Sequence, residues 1–288
     1  MTGPVIVGAD DSATTGDALA LGQWAATTLD VPLIVAVVHP APSAIGSGRV
    51  DAEWIADRHQ AAERVLASAR ATLGDPPNVD YRVVASSSAA HGLHDLAEHE
   101  NAVLLVVGSR STGPVARLFA GSTAERLLAG SVCSVAVAPA GMTIAPGSHG
   151  RIGVAYVDTP DGRAALATAA RLARRTHSPL LLVTVVARAD AAVPFMLGTD
   201  AERAFLDTAR ESYEDALRKA ADSVPDVDVS WELRSGDVVE TLADLADVDV
   251  LICGSRGYGP ARRVLLGGVS TRLLRRACRP LIVVPRAD

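Results

Sequence analysis

The sequence contains one lysine, Lys219, and aromatic residues make up only 3% of it. Each scarcity excludes something. A GxxxxGK[ST] phosphate loop needs a lysine behind its glycines, and Lys219 sits instead in LRKAADSV, a helical segment. With so few rings and a formal net charge of −6, the chain lacks both the stacking side chains and the basic field used to hold nucleic acid. Nucleic acid is therefore not an expected partner. Three cysteines are too few, and odd in number, for a disulfide framework; buried thiols serving as small apolar side chains are expected. No run approaches the ~18 apolar residues of a membrane span. The opening MTGPVIVGADDS reaches an acidic pair before any secretory-length apolar stretch, so a cytoplasmic, membrane-free protein is expected.

What is present is a duplication. GSRSTGPVARLFAGSTAERLLAGSVCSVAVAP, from Gly108 to Pro139, returns without a gap as GSRGYGPARRVLLGGVSTRLLRRACRPLIVVP, from Gly254 to Pro285, an offset of 146 positions (254 − 108). That is about one domain. The 288 residues, 49% hydrophobic, suit two domains that each bury a core. We assign a first domain to residues 1–140, a linker to 141–150, rich in Gly, Pro and Ser, and a second domain to 151–288.

Apolar runs alternate with helical periods in both halves. Strands are predicted at Pro4–Val7, Val31–Val38, Val79–Val84, Val103–Val107 and Val132–Ala138, and helices at Thr15–Thr28, Asp51–Leu73, Leu93–Glu100 and Ser122–Ala129. The second half repeats the strands at Ile152–Tyr156, Leu180–Val186, Val227–Leu233, Val248–Cys253 and Leu281–Val284. Runs such as VPLIVAVV are apolar at every position, as parallel strands covered on both faces must be. The predicted class is α/β: two Rossmann-like doubly wound domains, each with a mainly parallel five-stranded sheet.

In such sheets ligands lie outside the carboxyl ends of the strands, where helix N-termini converge. Gly108, Ser109 and Arg110 follow a strand, and Gly121, Ser122 and Thr123 open a helix. Free amides, a helix dipole and two hydroxyls there suit an anion, and a phosphate chain fits that chemistry. Other chemistries lack their residues. The stretch Gly8-Ala9-Asp10-Asp11-Ser12 carries one glycine and so is not the GxGxxG dinucleotide fingerprint, and no GxSxG nucleophile elbow occurs. His91, His94, Asp95, Glu98 and His99 crowd one predicted helix without HExxH spacing, and the second copy has Val238 and Thr241 where its histidines would fall. A solvated helix face is expected there, with neither a metal site nor a catalytic constellation.

With Gly254, Gly257 and Gly267 spaced as Gly, two residues, Gly, nine residues, Gly, the chain resembles the universal stress protein family from VIVGADDS to LIVVP in both halves. The resemblance implies an ATP-, ADP- or AMP-binding, non-enzymatic stress protein, with or without Mg. Its site residues, carried over by motif, are Ala9, Asp10, Val38, Gly108, Arg110, Ser111, Gly121, Ser122 and Thr123 in the first half. In the second half they are Val185, Arg256, Gly268, Val269 and Ser270 beside Gly254, Gly257 and Gly267. It also implies that the last strands of the two halves pair as an intrachain pseudo-dimer, which can itself form a homodimer. The other reading is a scaffolding stress protein that binds no nucleotide and acts by association.

Both copies depart from the motif. Ser111 replaces the second glycine of the first copy; were that residue held at positive φ, serine would cost roughly 1–2 kcal/mol. Gly268 replaces the Ser/Thr of the second copy, leaving Ser270 or Thr271 to supply a hydroxyl. Aligning Leu19 with Leu166 sets Val157 opposite Asp10 and moves the acid to Asp158, across the strand's pleat. The first half thus keeps the better nucleoside end and the second the better phosphate turn.

Overall fold

A computed structural model describes residues 3–41, 50–74, 76–111, 118–119, 122–128, 131–142, 150–187, 199–255, 268–274, 276 and 278–285; for 50–52, 110–111, 118–119, 122, 187 and 199–207 it describes the backbone alone. The first half runs β1 (Val5–Gly8), α1 (Thr15–Leu29), β2 (Leu33–Pro40), α2 (Val50–Leu73), β3 (Val79–Ser86), α3 (Ala89–His99) and β4 (Leu104–Gly108). A small pair follows, β5 (Arg110–Ser111) and β6 (Leu118–Phe119), then α4 (Ser122–Leu128) and β7 (Ser134–Ala138). The second half runs β8 (Ile152–Ala155), α5 (Pro160–Thr176), β9 (Leu180–Ala187), α6 (Thr199–Asp222), β10 (Val229–Gly236), α7 (Val238–Ala243), β11 (Val250–Gly254), α8 (Gly268–Leu274) and β12 (Leu281–Val284).

All ten main strands form one sheet in the order β10-β9-β8-β11-β12-β7-β4-β1-β2-β3. Among these ten strands every pairing within a half is parallel. The halves join through one antiparallel seam, where Leu281, Ile282 and Val283 face Val137, Ala136 and Val135. The pseudo-dimer expected from the last strands is thus present within the chain.

Why these residues make such a sheet follows from burial on both faces. In β4 and β11 the residues Leu105, Val106, Leu251 and Ile252 are all buried, and alternate side chains enter two different cores. One core lies under α1, α2, α5 and α6; the other lies under α3, α4, α7 and α8, and each continues across the seam. The α1–α5 contact adds a link between the halves, with Arg175 donating to the Thr28 carbonyl at 3.3 Å.

The structure departs from the sequence expectations at the cysteines. Cys133 and Cys253 are buried, but Cys278 is exposed, because it lies in the turn that precedes β12 rather than in a strand. Burial raises the Cys133 thiol and pushes Cys253, whose thiol donates to the Ser270 hydroxyl, up to about 12. The thiolate is the reactive form. Brief treatment of the folded protein with iodoacetamide at neutral pH should therefore modify Cys278 alone, giving one adduct by intact-mass spectrometry. Prior labelling of Cys253 would contradict its burial. The histidine-rich helix α3 is a solvated face: His91 lies 3.4 Å from Asp95, both exposed, and no cluster of three metal-type ligands occurs among the described residues. No described helix is long and apolar enough to cross a membrane.

Candidate functional site

In each half the strand order reverses between the first and fourth strands, so the crevice at a switch point opens beside the ends of β1 and β4, and of β8 and β11. In the first half β1 ends at Gly8; Ala9 is buried and its amide donates to the Ala36 carbonyl at 2.9 Å. Ala9 is thus committed to the sheet. Asp10 then turns outward. Its Oδ1 accepts from the Ser12 amide at 3.0 Å and lies 2.9 Å from the Thr15 hydroxyl, while Oδ2 has no partner among the described residues. This local turn delivers the chain into α1 with one carboxylate oxygen facing solvent.

Asp10 and Val38 line one cavity of about 680 Å³ between the ends of β1 and β2, α1 and α2. Its floor is aliphatic, from Leu19, Val37 and Val65, and Arg58 and Arg64 of α2 also line it. That volume and mixture are those of a small-molecule site. His39, buried at the end of β2, lies 3.0 Å from the Pro40 carbonyl through Nδ1 and 3.3 Å from His59 of α2 through Nε2. The histidine pair ties α2 to β2 along the wall. None of these α2 and β2 side chains beyond Val38 follows from the glycine motif, because only the fold brings α2 over the end of β2.

The N-terminus of α1 joins this cavity to the glycine turn. Its N-cap Thr14 makes no side-chain cap hydrogen bond, and Gly16 in the first turn lines the cavity. The Thr15 amide donates to the Ser12 carbonyl at 3.2 Å, so the helix presents the Gly16 and Asp17 amides there without a side-chain cap. Thr14 also abuts Gly108: a Cβ on Gly108 would lie 2.6 Å from Thr14 Oγ1 and 2.9 Å from its carbonyl oxygen. Gly108 is accordingly required by the approach of α1. Ser109, next along, is fully buried, and its hydroxyl has no hydrogen-bond partner.

Beyond Ser109 the chain forms a hairpin: Arg110 pairs with Phe119 and Ser111 with Leu118. Ser111 is thus in extended backbone and is not among the described residues at positive φ, so the anticipated left-handed strain does not arise. Gly121 lies outside the described residues. Ser122 opens α4, and Thr123 behind it is half-buried.

The second half is built differently on the same plan. Registers set Gly8 opposite Val107 and Ala155 opposite Cys253, so Val157 stands where Asp10 stands, and the next residue is Asp158. Asp158 is paired with Arg163 at 2.8 Å, which holds its carboxyl below the usual carboxylate range. Helix α5 is capped: Thr159 accepts from the Gly162 amide at 3.1 Å. A Cβ on Gly254 would lie 2.8 Å from both Cβ and carbonyl oxygen of Asp161, the counterpart of Thr14. Asp161 is 7% exposed, and its Oδ1 has no hydrogen-bond partner.

Ser270 does not replace the missing motif hydroxyl, because it is buried and donates to the Gly254 carbonyl at 3.1 Å. Val269 and Val185 are half-buried against the core under α7 and α8, as Val38 is in the first half against α3. Gly268 is exposed at the start of α8, with nothing within 4 Å of an added Cβ. Arg256, Gly257 and Gly267 lie outside the described residues.

The sequence profile of the universal stress protein family matches residues 1–139 and 149–285. A universal stress protein of Mycobacterium tuberculosis is 30% identical over 266 residues, covering 90% of each chain, and a second from the same species is 27% identical over 285 residues. Among solved structures, a universal stress protein from Archaeoglobus fulgidus superposes with a TM-score of 0.69 at 19% identity, covering 99% of this chain and 97% of that one. A protein from Pseudomonas aeruginosa gives 0.70 at 15% identity, over 99% and 93%.

Proposed function

From the premise that the chain belongs to the universal stress protein family, we propose that it is a non-enzymatic, nucleotide-responsive protein whose first half binds ATP, ADP or AMP. The observation that carries this reading is the cavity shared by Asp10 and Val38, which meets the uncapped N-terminus of α1. A nucleoside fits the aliphatic floor, with the free Asp10 oxygen accepting from ribose hydroxyls. Its phosphates then extend over the α1 amides toward Gly108 and the Ser109 hydroxyl, where helix dipole and donors favour negative charge. In this reading the bound nucleotide is a signal read through shape.

The scaffolding alternative has its own support, since Gly108 and Gly254 are each required by packing whether or not a phosphate binds. Thermal unfolding with and without ATP, ADP or AMP separates the two. A ligand at 100 times its Kd adds about 2.7 kcal/mol, so saturating nucleotide should raise Tm by several degrees. Asp10→Ala should weaken binding about tenfold, equivalent to about 1.4 kcal/mol, by removing the ribose acceptor. No rise in Tm with any of the three nucleotides leaves the scaffold reading standing.

A further inference from the structure

The two glycine turns rest on opposite chemistry. At the base of the first are Thr14, whose hydroxyl lies 3.2 Å from that of Ser12, and the buried Ser109 hydroxyl with no partner. At the base of the second is Asp161, buried and with Oδ1 unpartnered, in the place that Thr14 occupies. The helix ends differ in the same sense, because α1 has no side-chain cap whereas Thr159 caps α5. The outer acids differ too, since Asp158 is paired with the Arg163 guanidinium whereas Asp10 bonds to the Ser12 amide and the Thr15 hydroxyl of its own turn.

We infer that Asp161 excludes phosphate from the second half, so that the chain takes one nucleotide, in the first half, and the pseudo-twofold sheet carries a single anion site. This rests on the nucleotide reading and adds to it which half responds and which residue discriminates. Asp161 packs on the first glycine of the turn through its Cβ and carbonyl oxygen, so its buried carboxylate stands at the base of the turn, and like charges that approach in a poorly hydrated site repel strongly. In the first half the same backbone position offers a hydroxyl, and the adjacent serine an unused donor. Glycine spacing favours the second turn, but the charge beneath it decides against it.

Isothermal titration calorimetry of the full chain with ATP tests this. The wild-type protein should bind one ATP. Thr14→Asp, which puts into the first half the side chain that the fold already accommodates in the second, should weaken that site at least ~100-fold. Thr14→Val, which keeps the shape without charge, should retain one site. Asp161→Asn should add a second equivalent of ATP. Circular dichroism melts of each variant separate lost binding from lost folding. Two sites in the wild type, one site that survives Thr14→Asp, or an Asp161→Asn stoichiometry still at one overturns the assignment and leaves the nucleotide reading intact. Absence of ATP binding by both the wild type and Asp161→Asn overturns the nucleotide reading, and the assignment with it.

Discussion

Replacing Ile282 by aspartate should destabilise the whole protein by roughly 5 kcal/mol, a large part of the 5–15 kcal/mol that holds a typical domain folded. Ile282 is 4% exposed, faces Ala136 across the antiparallel seam and belongs to the core under α1 and α5. The substitution removes a buried aliphatic side chain, costing about 2–5 kcal/mol, and buries a carboxylate with no cation described beside it. Because both cores cross the seam, the loss should register in both halves. Trp24 of α1 and Trp231 of β10 report on the two halves by fluorescence. In urea titrations of the wild type, fluorescence and far-UV circular dichroism should give coincident transitions. Separate wild-type transitions, or a loss under 1 kcal/mol in Ile282→Asp, would show that the halves do not depend on their junction.

Gly162→Ala should cost about 2 kcal/mol, against the usual rule that alanine stabilises a helix. An alanine in a helix interior is favoured over glycine by about 1 kcal/mol. Here, however, a Cβ at residue 162 would lie 1.9 Å from the Val157 carbonyl oxygen, a backbone atom that no rotamer change can move aside. Relieving such a contact shifts the β8–α5 loop, and overpacking of this kind costs roughly 3 kcal/mol, which outweighs the propensity gain. The Gly162 amide also donates to Thr159, so the same shift disturbs the cap. The midpoint of urea unfolding measures the effect; a gain in stability would mean the loop yields freely. The corresponding residue of the first half, Thr15, carries a side chain because its loop closes through the Thr15 hydroxyl and Asp10 instead.

Much of this architecture was legible in the amino-acid order because the determinants are local. VPLIVAVV is apolar at successive positions because β2 is buried on both faces, and the repeated LIVVP and SVAVAP segments mark the two strands of the seam. The misplaced boundaries have identifiable causes. Strand β2 begins at Leu33 rather than Val31, because Asp30 adopts φ 54° to close α1 and the Val31 amide donates to Ala26. Strand β7 begins at Ser134, since Ser131 accepts from the Cys133 amide and leaves Val132 52% exposed. The two-residue strands β5 and β6 are too short to show any period.

The site was legible only in part. Asp10 and Val38 could be named from the motif, but their shared cavity depends on where α2 lies. Asp161 in a sequence is an ordinary acid in the first turn of a helix. Only the approach of α5 to Gly254 reveals it as buried and unpaired.

The seam between β7 and β12 has a consequence for assembly and for drift. Its antiparallel pairing uses up the border at which each half could otherwise zip to a separate molecule, leaving β3 and β10 as the outer rims of the sheet. A self-associating single-domain protein must alter both of its clefts with every substitution. In this chain each cleft is written separately yet always held against the other at a fixed one-to-one ratio, so one can be retuned, or silenced by a residue such as Asp161, without touching its neighbour.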